Sequence, residues 1–434
     1  MPKITFLGAG STVFAKNVLG DCLAAPALAD AEIALYDIDP QRLTDSRLMI
    51  DTLNRGAGGR ARIQAYTREG RREALRGADF VVNAVQVGGY DPCTVTDFEV
   101  PKKFGLRQTI GDTLGIGGIF RGLRTIPVAL EFAREMEEVC PGALFLNYVN
   151  PMAMVTGALL RASGIRTVGL CHSVQVCAER LMKGVGLAWD PATLWKIAGI
   201  NHQAWLLEIS LRGEDLYPEI RRRSEAGQVP DTDRVRHEIM RRFGYYVTES
   251  SEHSAEYVPW FISESHPELI ERYNIPLDEY PRRCVEQIAG WARMRDELVS
   301  NRALRHERTS EYASYVMEAV VTNRPYRIGG NVLNNSIVTN LPRQACVEVP
   351  CLVDGGGVQP CTVGDLPPQC AALNLTGVNV QLLTIEAALT GRRDHVYQAA
   401  LLDPHTAAEL SVDRIVAMCD ELIERHGSWL PKFR

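Results

Sequence analysis

The chain has 434 residues, of which 46% are hydrophobic and 23% charged, and its formal net charge is −6. This composition is typical of a globular protein of one or two domains, and the acidic balance argues against nucleic acid or a membrane surface as a partner. No apolar run approaches the roughly 20 residues that span a bilayer, and the first residues have a strand pattern rather than that of a signal peptide. Eleven cysteines without a compact spacing favour free thiols in a reducing compartment, so we expect a cytoplasmic protein.

Short apolar runs alternate with helical patterns over about the first 170 residues. Strands are predicted at residues 4–7, 32–37, 79–84, 144–148 and 167–170. Asp39 and Pro40 are typical of a helix start. The helix that follows is expected to turn three leucines inward, namely Leu43, Leu48 and Leu53. Because continuous apolar strands separated by helices form parallel sheets covered on both faces, the predicted fold class is α/β with a Rossmann-like, doubly wound parallel sheet.

From residue 193 the pattern changes to helices mixed with short strands. No linker rich in proline, glycine or serine separates the two parts of the chain. We therefore predict two domains, residues 1–192 and residues 193–434, of which the second has a mixed α+β structure and packs tightly against the first.

A glycine turn, Gly8-Ala9-Gly10-Ser11, lies between the first predicted strand and a helix that is expected to begin at Thr12. Two glycines in this place let the backbone approach a pyrophosphate at the helix N-terminus, although Val13 stands where the usual pattern has a third glycine. Asp37, after the second strand, is placed to accept hydrogen bonds from a ribose and would repel a 2′-phosphate, which favours NAD over NADP. Alternatively, the Asp37 carboxylate only stabilises a turn or caps a helix. The predicted NAD-binding residues of the first domain are Gly8, Gly10, Ser11, Thr12, Asp37 and Asn83.

Polar residues follow two neighbouring predicted strands, and a further pair follows soon after. They are Asn147 to Pro151, Cys171 to Ser173, and Asn201 with His202. Because strand ends of a parallel sheet converge at one edge, Cys171 and His202 could bind the same divalent cation. Such a site leaves coordination positions for a substrate with vicinal hydroxyls, which suits Mn²⁺, although sulfur also suits zinc. Each residue also has a purely structural alternative: Cys171 as a buried thiol of the core, and His202 as a hydrogen-bonded structural histidine.

The run from Ser250 to Tyr257 is dense in polar residues. Tyr257 is a candidate base, because a nearby divalent cation can lower the pKa of a phenol, and His253 would share its helical face. Its alternative is a packing role. The glycine-rich segment 111–118 carries Asp112 ahead of a predicted helix, and it is either a substrate loop or a simple turn.

Several longer segments resemble glycoside hydrolase family 4, the NAD- and metal-dependent glycosidases, and the resemblance extends over nearly the whole chain. They are most similar to the α-galactosidase branch of that family. The segments are GGYDPCTVTDFE (88–99), LNYVNPMAM (146–154), GLCHSVQ (169–175), AGINH (198–202) and YPRRCVEQ (280–287).

This resemblance implies a mechanism that differs from the two-carboxylate route of most glycosidases. NAD would oxidise the C3 hydroxyl of the sugar, and Mn²⁺ or another divalent metal on Cys171 and His202 would polarise the C2 and C3 oxygens. Tyr257 would then take the C2 proton. The aglycone would leave by elimination, water would add at C1, and NADH would return the hydride. The expected substrate is a terminal α-galactoside.

The resemblance also assigns further residues. His172 takes a position that an aspartate holds in the α-glucosidase branch, so it is either the general acid or only a sugar contact. Asn150 and Arg283 match positions that contact substrate hydroxyls, and Asp112 is a secondary candidate for the same role. The second domain would supply substrate, metal and oligomerisation surfaces, and a homodimer or homotetramer is expected. Two alternatives remain, an α-galacturonidase or other glycosidase of the same family and, more distantly, a lactate/malate-type dehydrogenase.

Overall fold

The computed structural model describes residues 1–434. The strands are β1 Lys3–Leu7, β2 Glu32–Tyr36, β3 Arg62–Tyr66, β4 Phe80–Asn83, β5 Leu144–Asn147, β6 Arg166–Gly169, β7 Leu194–Ile200, β8 Gln203–Leu211, β9 Glu214–Asp215, β10 Tyr246–Val247, β11 Tyr326–Leu333, β12 Cys346–Asp354 and β13 Gly357–Pro360. The helices are α1 Thr12–Ala24, α2 Pro40–Gly56, α3 Arg71–Leu75, α4 Val95–Lys103, α5 Gly115–Val139, α6 Met152–Ala162, α7 His172–Gly184, α8 Tyr217–Glu225, α9 Arg234–Phe243, α10 Ser251–Glu256, α11 Glu268–Arg272, α12 Glu279–Arg295, α13 Tyr312–Thr322, α14 Pro368–Thr390, α15 Arg393–Leu402, α16 Pro404–Glu409 and α17 Val412–His426.

All strands belong to one sheet, whose central path runs β10-β8-β7-β12-β11-β6-β5-β4-β1-β2-β3. The six strands from β3 to β6 are parallel and follow the order β3-β2-β1-β4-β5-β6, which is the order of doubly wound dinucleotide-binding sheets. The prediction of a Rossmann-like sheet is confirmed by this order. The remaining strands extend the sheet in antiparallel fashion beyond β6. Because the sheet continues across residue 192, the division into two domains at that point stays a prediction.

Side chains along each parallel strand alternate between two buried clusters. Phe80 and Val82 of β4 belong to one cluster, whereas Val81 between them belongs to the other. The first cluster includes residues of α1, α2 and α13, and the second includes residues of α5, α6, α14 and α17. Since successive side chains of a strand point to opposite faces, helices cover both faces of the parallel sheet. None of the helices has the length and hydropathy needed to cross a membrane.

Helix α2 begins as the sequence predicts, because the Asp39 carboxylate accepts hydrogen bonds from the backbone N–H groups of Gln41 and Arg42 at 2.9 and 3.1 Å. Leu43 and Leu53 are buried, but Leu48 is 49% exposed, so its predicted inward position is wrong. Five residues advance a helix by about 140° beyond a full turn, which carries Leu48 away from the face of Leu43.

Candidate active site

The turn between β1 and α1 depends on two glycines. Gly8 has a φ of +84°, and a Cβ on it would lie 2.7 Å from the carbonyl carbon of Ala84. A Cβ on Gly10 would lie 2.7 Å from an oxygen of Asp37. The Asp37 carboxylate accepts hydrogen bonds from the backbone N–H groups of Gly10 at 2.6 Å and Asp39 at 2.9 Å. Asp37 therefore stabilises the turn itself. Its role as a hydrogen-bond acceptor for a ribose stays a prediction.

The other predicted dinucleotide residues surround the same turn. The Ser11 side chain makes no capping hydrogen bond at the exposed N-terminus of α1, while the Thr12 hydroxyl lies 3.0 Å from that of Ser46. Asn83 ends β4, beside the end of β1, and donates to the Asn147 side chain at 3.0 Å. The Oδ1 atom of Asn83 is buried and has no partner. A buried acceptor normally has a donor, so this atom is available to a ligand at the strand ends.

The structure brings Cys171 and His202 together from distant parts of the chain. Cys171 follows β6 at the start of α7, and His202 lies in the turn between β7 and β8 with a φ of +64°. Glu249, which follows β10 with a φ of +68°, reaches the same place. Donor atoms of these three side chains all lie within 4.8 Å of one another. Thiol, imidazole and carboxylate together form a donor set that fits a divalent cation.

Sequence reasoning missed Glu249. The predicted polar run begins at Ser250, one residue after Glu249, and no pattern in the sequence signals the left-handed backbone that brings Glu249 to His202. A usable signal was the spacing of Glu249 and His253, which lie four residues apart. An acid and a histidine at that spacing are often close in space when a helix begins between them.

The electrostatics of this cluster favour a bound cation. Burial, together with the charges of Glu348 and Glu249, raises the pKa of the Cys171 thiol above its usual value. Burial opposes ionisation of Glu249 as well, but the charges of His202 and His253 lower the pKa of its carboxyl to about 2. A thiolate at Cys171 therefore needs a positive charge beside it, which a divalent metal supplies.

Tyr257 lies directly beside the predicted metal ligand His202. Its side chain is buried at the end of α10, and its hydroxyl is 3.2 Å from Nδ1 of His202. The other ring nitrogen of His202, Nε2, is 3.3 Å from Glu249. Burial and the charges of Asp112 and Glu256 raise the pKa of the Tyr257 phenol well above its ordinary value. His202 thus separates the phenol from the carboxylate and can contact a cation on one side and the candidate base on the other.

Asp112 and Asn150 form a second polar group at the same edge. The Asn150 side chain donates to the Asp112 carboxylate at 3.0 Å, and His253 and Arg121 lie 3.7 and 3.9 Å from it. Burial alone would raise the pKa of Asp112, but the neighbouring His253 and the charge of Arg121 hold it below its usual range. Asp112 is therefore an ionised hydrogen-bond acceptor, which suits a residue that binds hydroxyl groups.

Glu256 holds the segment that carries Asp112. Its buried carboxylate accepts hydrogen bonds from three successive backbone N–H groups, those of Thr109 at 2.7 Å, Ile110 at 3.2 Å and Gly111 at 2.6 Å. Thr113, just beyond, has its hydroxyl 3.1 Å from His202 Nδ1. The glycine-rich segment is thus fixed against the residues around His202. Sequence reasoning missed Glu256, because its partners are backbone groups far away in the chain.

His172 and Arg283 are placed differently from the other predicted residues. His172 is half-exposed, and its Nε2 atom lies 2.7 Å from both carboxylate oxygens of Glu311. Its ring lies among aromatic side chains, with Tyr148 5.6 Å away. Arg283, on α12, bonds Glu279 at 2.6 Å and Glu252 at 3.3 Å. It makes no hydrogen bond or ion pair with the other predicted site residues, so its contact with substrate stays a prediction.

Known proteins are similar to this chain over its whole length. The chain is 58% identical to an alpha-galactosidase of Bacillus subtilis (strain 168) over 435 residues, which covers 100% of both chains. The family model "Family 4 glycosyl hydrolase" matches residues 3–187, and the model of the C-terminal domain of that family matches residues 197–406. The chain belongs to family 4 of the glycosyl hydrolases. The resemblance that the motifs indicate is thereby confirmed.

Two further similarities extend the comparison within this family. An alpha-galacturonidase of Bacillus subtilis (strain 168) is 28% identical over 426 residues, which covers 93% of both chains. A solved structure of a 6-phospho-alpha-glucosidase from gut microorganisms, in complex with NAD and Mn²⁺, has a TM-score of 0.83 and 22% identity over 100% of both chains. The structural similarity confirms the fold class of this family 4 protein.

Proposed function

We propose that this protein is an NAD- and Mn²⁺-dependent α-galactosidase that cleaves terminal α-galactosides. The observation that supports it best is the meeting of Cys171, His202 and Tyr257 beside a dinucleotide loop. The α-galactosidase of Bacillus subtilis, 58% identical over the whole chain, supports the choice of substrate.

The residues present fit both NAD and a divalent cation. A Cβ on Gly8 or Gly10 would meet a protein atom at 2.7 Å, so the turn is confined to glycines, as is typical of dinucleotide-binding turns between a first strand and its helix. The free Oδ1 atom of Asn83 adds an acceptor at the ends of β1 and β4. Cys171 and His202 would hold the cation. When bound, NAD would accept a hydride from the sugar C3, and the cation would draw electron density from the C2 and C3 oxygens.

The side chains of the protein have distinct tasks in this proposal. Tyr257 removes the proton from C2, because its hydroxyl lies next to His202 and is closed off from water. Asp112 and Asn150 hold sugar hydroxyls, since an ionised acceptor and an amide lie side by side there. His172 keeps Nδ1 free for the substrate, because Glu311 occupies Nε2. It serves as the general acid for the leaving group or as a sugar contact.

A galactoside fits better than a galacturonide. A C6 carboxylate needs a cationic partner, and the predicted candidate, Arg283, already bonds the carboxylates of Glu279 and Glu252. The α-galacturonidase of Bacillus subtilis is also more distant, at 28% identity. We further propose a cytoplasmic location, supported by eleven free cysteines, and a homodimer or homotetramer, which follows from the resemblance alone.

A sugar panel tests the proposal. The protein is incubated under reducing conditions with catalytic NAD and Mn²⁺ and with p-nitrophenyl α-galactoside, α-galacturonide or α-glucoside. We expect release of nitrophenol from the galactoside, with no net formation of NADH, and loss of turnover when either NAD or Mn²⁺ is left out. Faster cleavage of the galacturonide would show that the protein is an α-galacturonidase instead. NADH formed in proportion to substrate consumed would instead indicate a dehydrogenase.

A further inference from the structure

Glu249 is built into the candidate metal site by its backbone. Its φ of +68° and that of His202, +64°, are conformations that residues other than glycine rarely adopt. Such strain persists where surrounding structure enforces it, and it is frequent at ligand-binding sites. Here it brings the Glu249 carboxylate within 3.3 Å of His202 Nε2 and within 4.8 Å of Cys171.

Glu249 lacks the lysine or arginine partner that a carboxylate with a purely structural role would normally have. Its carboxylate forms no ion pair with a lysine or an arginine; its ion-pair partners are the imidazoles of His202, at 3.3 Å, and His253, at 3.8 Å. Glu252, three residues later and similarly shielded, bonds Arg283 instead. An imidazole is charged only when it is protonated, whereas a cation in the space shared with Cys171 and His202 would give the shielded carboxylate a permanent counter-charge.

We propose that Glu249 is the third protein ligand of the divalent cation held by Cys171 and His202. This inference rests on the proposed function, which assigns the cation to those two residues. A carboxylate oxygen adds a hard donor to a thiolate and an imidazole, so the site becomes better suited to Mn²⁺ than a sulfur–nitrogen pair alone. Its charge also balances part of the charge of the metal within a buried site.

Mn²⁺ affinity in the absence of substrate tests this assignment without an activity assay. Isothermal titration of the intact protein with Mn²⁺ should show a dissociation constant about 10- to 100-fold higher for Glu249→Gln than for the wild type, the range by which support of a metal site commonly changes affinity. Glu249→Asp should recover part of the affinity. Glu252→Gln is the matched control, because it removes a charge from the same segment without removing a ligand. Thermal unfolding of each variant establishes that it is folded.

Co²⁺ as a probe separates a ligand from a residue that merely orients His202. In Glu249→Gln the d–d bands of bound Co²⁺ should change, while the thiolate-to-metal charge-transfer band from Cys171 remains. Wild-type Mn²⁺ affinity or unchanged d–d bands in Glu249→Gln would overturn the inference and leave the proposed function intact. If the wild type binds no Mn²⁺, or Cys171→Ser binds it equally well, the proposed function itself fails.

Discussion

Tyr257 lies in surroundings that oppose the ionisation of a phenol. Burial comes first, and the negative charges of Asp112, Glu256 and Glu249 add to it, so the pKa of Tyr257 is raised. The protein alone therefore keeps the proton on this side chain. A base of this kind needs a positive charge nearby. His202, whose Nδ1 lies 3.2 Å from the hydroxyl, is the residue that would hold the cation on its other ring nitrogen.

Replacement of Tyr257 by phenylalanine should lower kcat by about 10²- to 10⁴-fold, the range typical for loss of a positioned proton-transfer group. The fold and Mn²⁺ affinity should be retained, because the ring still fills its buried position. The assay uses p-nitrophenyl α-galactoside deuterated at C2, for which the wild type should show a slower rate or exchange of the label with solvent. A Tyr257→Phe variant with wild-type turnover would make Tyr257 a packing residue.

Individual residues were predicted unevenly from the sequence. Cys171 and His202 could be paired, because Cys171 follows a predicted strand at the edge of the sheet and His202 comes soon after it in the chain. Glu249 could not be predicted, since the direction of its side chain depends on a left-handed backbone. Glu256 could not be predicted either, since it accepts hydrogen bonds from the backbone of residues 109–111. Chemistry-bearing side chains at strand ends leave a signal in the sequence, whereas side chains that act on distant backbone do not.

At the scale of elements, the end of α10 and the segment before α5 act as one unit. Glu256 of α10 accepts hydrogen bonds from the backbone of residues 109–111. Asp112, the next residue in the chain, accepts one from the Asn150 side chain. Tyr257 follows Glu256 directly in the chain. The separation between the candidate base and the candidate sugar-binding carboxylate is therefore set by a single buried side chain.

Replacement of Glu256 by glutamine should destabilise the protein by on the order of 1–3 kcal/mol, because its amide cannot accept all three backbone hydrogen bonds. The KM for the galactoside should rise more than kcat falls, since Asp112 loses its support. Asp97→Asn is the control, because Asp97 is an equally buried acid whose carboxylate bonds the side chains of Arg124 and His426, not the backbone of residues 109–111. If Glu256→Gln loses stability but keeps the wild-type KM, as the control should, Glu256 has no part in positioning Asp112.

The start of α2 supports the dinucleotide turn in a similar way. Asp39 caps this helix, its N–H bonds Asp37, and Ser46 on the same helix donates to the Ala9 carbonyl at 2.6 Å. The cap was predictable from the Asp-Pro pair, because capping is a local interaction. The exposed position of Leu48 also follows from helix geometry, because five residues carry it about 140° around the helix from Leu43.

Removal of this cap by Asp39→Ala should cost about 1 kcal/mol, as for helix N-caps in general, and should weaken NAD binding while Mn²⁺ affinity is kept. Thermal unfolding and NAD titration measure the two effects. Asp30→Ala, which removes an exposed acid without a hydrogen-bonding role, should change neither. Equal behaviour of the two variants would show that the cap does not support the NAD loop.

For the whole molecule, the sheet brings the site together. The parallel half could be predicted, because strands and helices alternate along the chain. The antiparallel half could not, since β11 and β12 come late in the sequence yet lie between β6 and β7. This insertion joins the Cys171 edge to the turn that carries His202. The site thus depends on strands from both predicted domains, which explains why no linker separates them.

The central claim is that one cation joins Cys171 and His202 beside Tyr257, and anomalous diffraction from crystals grown with Mn²⁺ and NAD tests it most directly. The account predicts a single manganese peak within bonding distance of both Cys171 Sγ and His202 Nε2, with the Tyr257 hydroxyl beside Nδ1 of the same imidazole. A peak bonded to neither of them, or to only one, would contradict it.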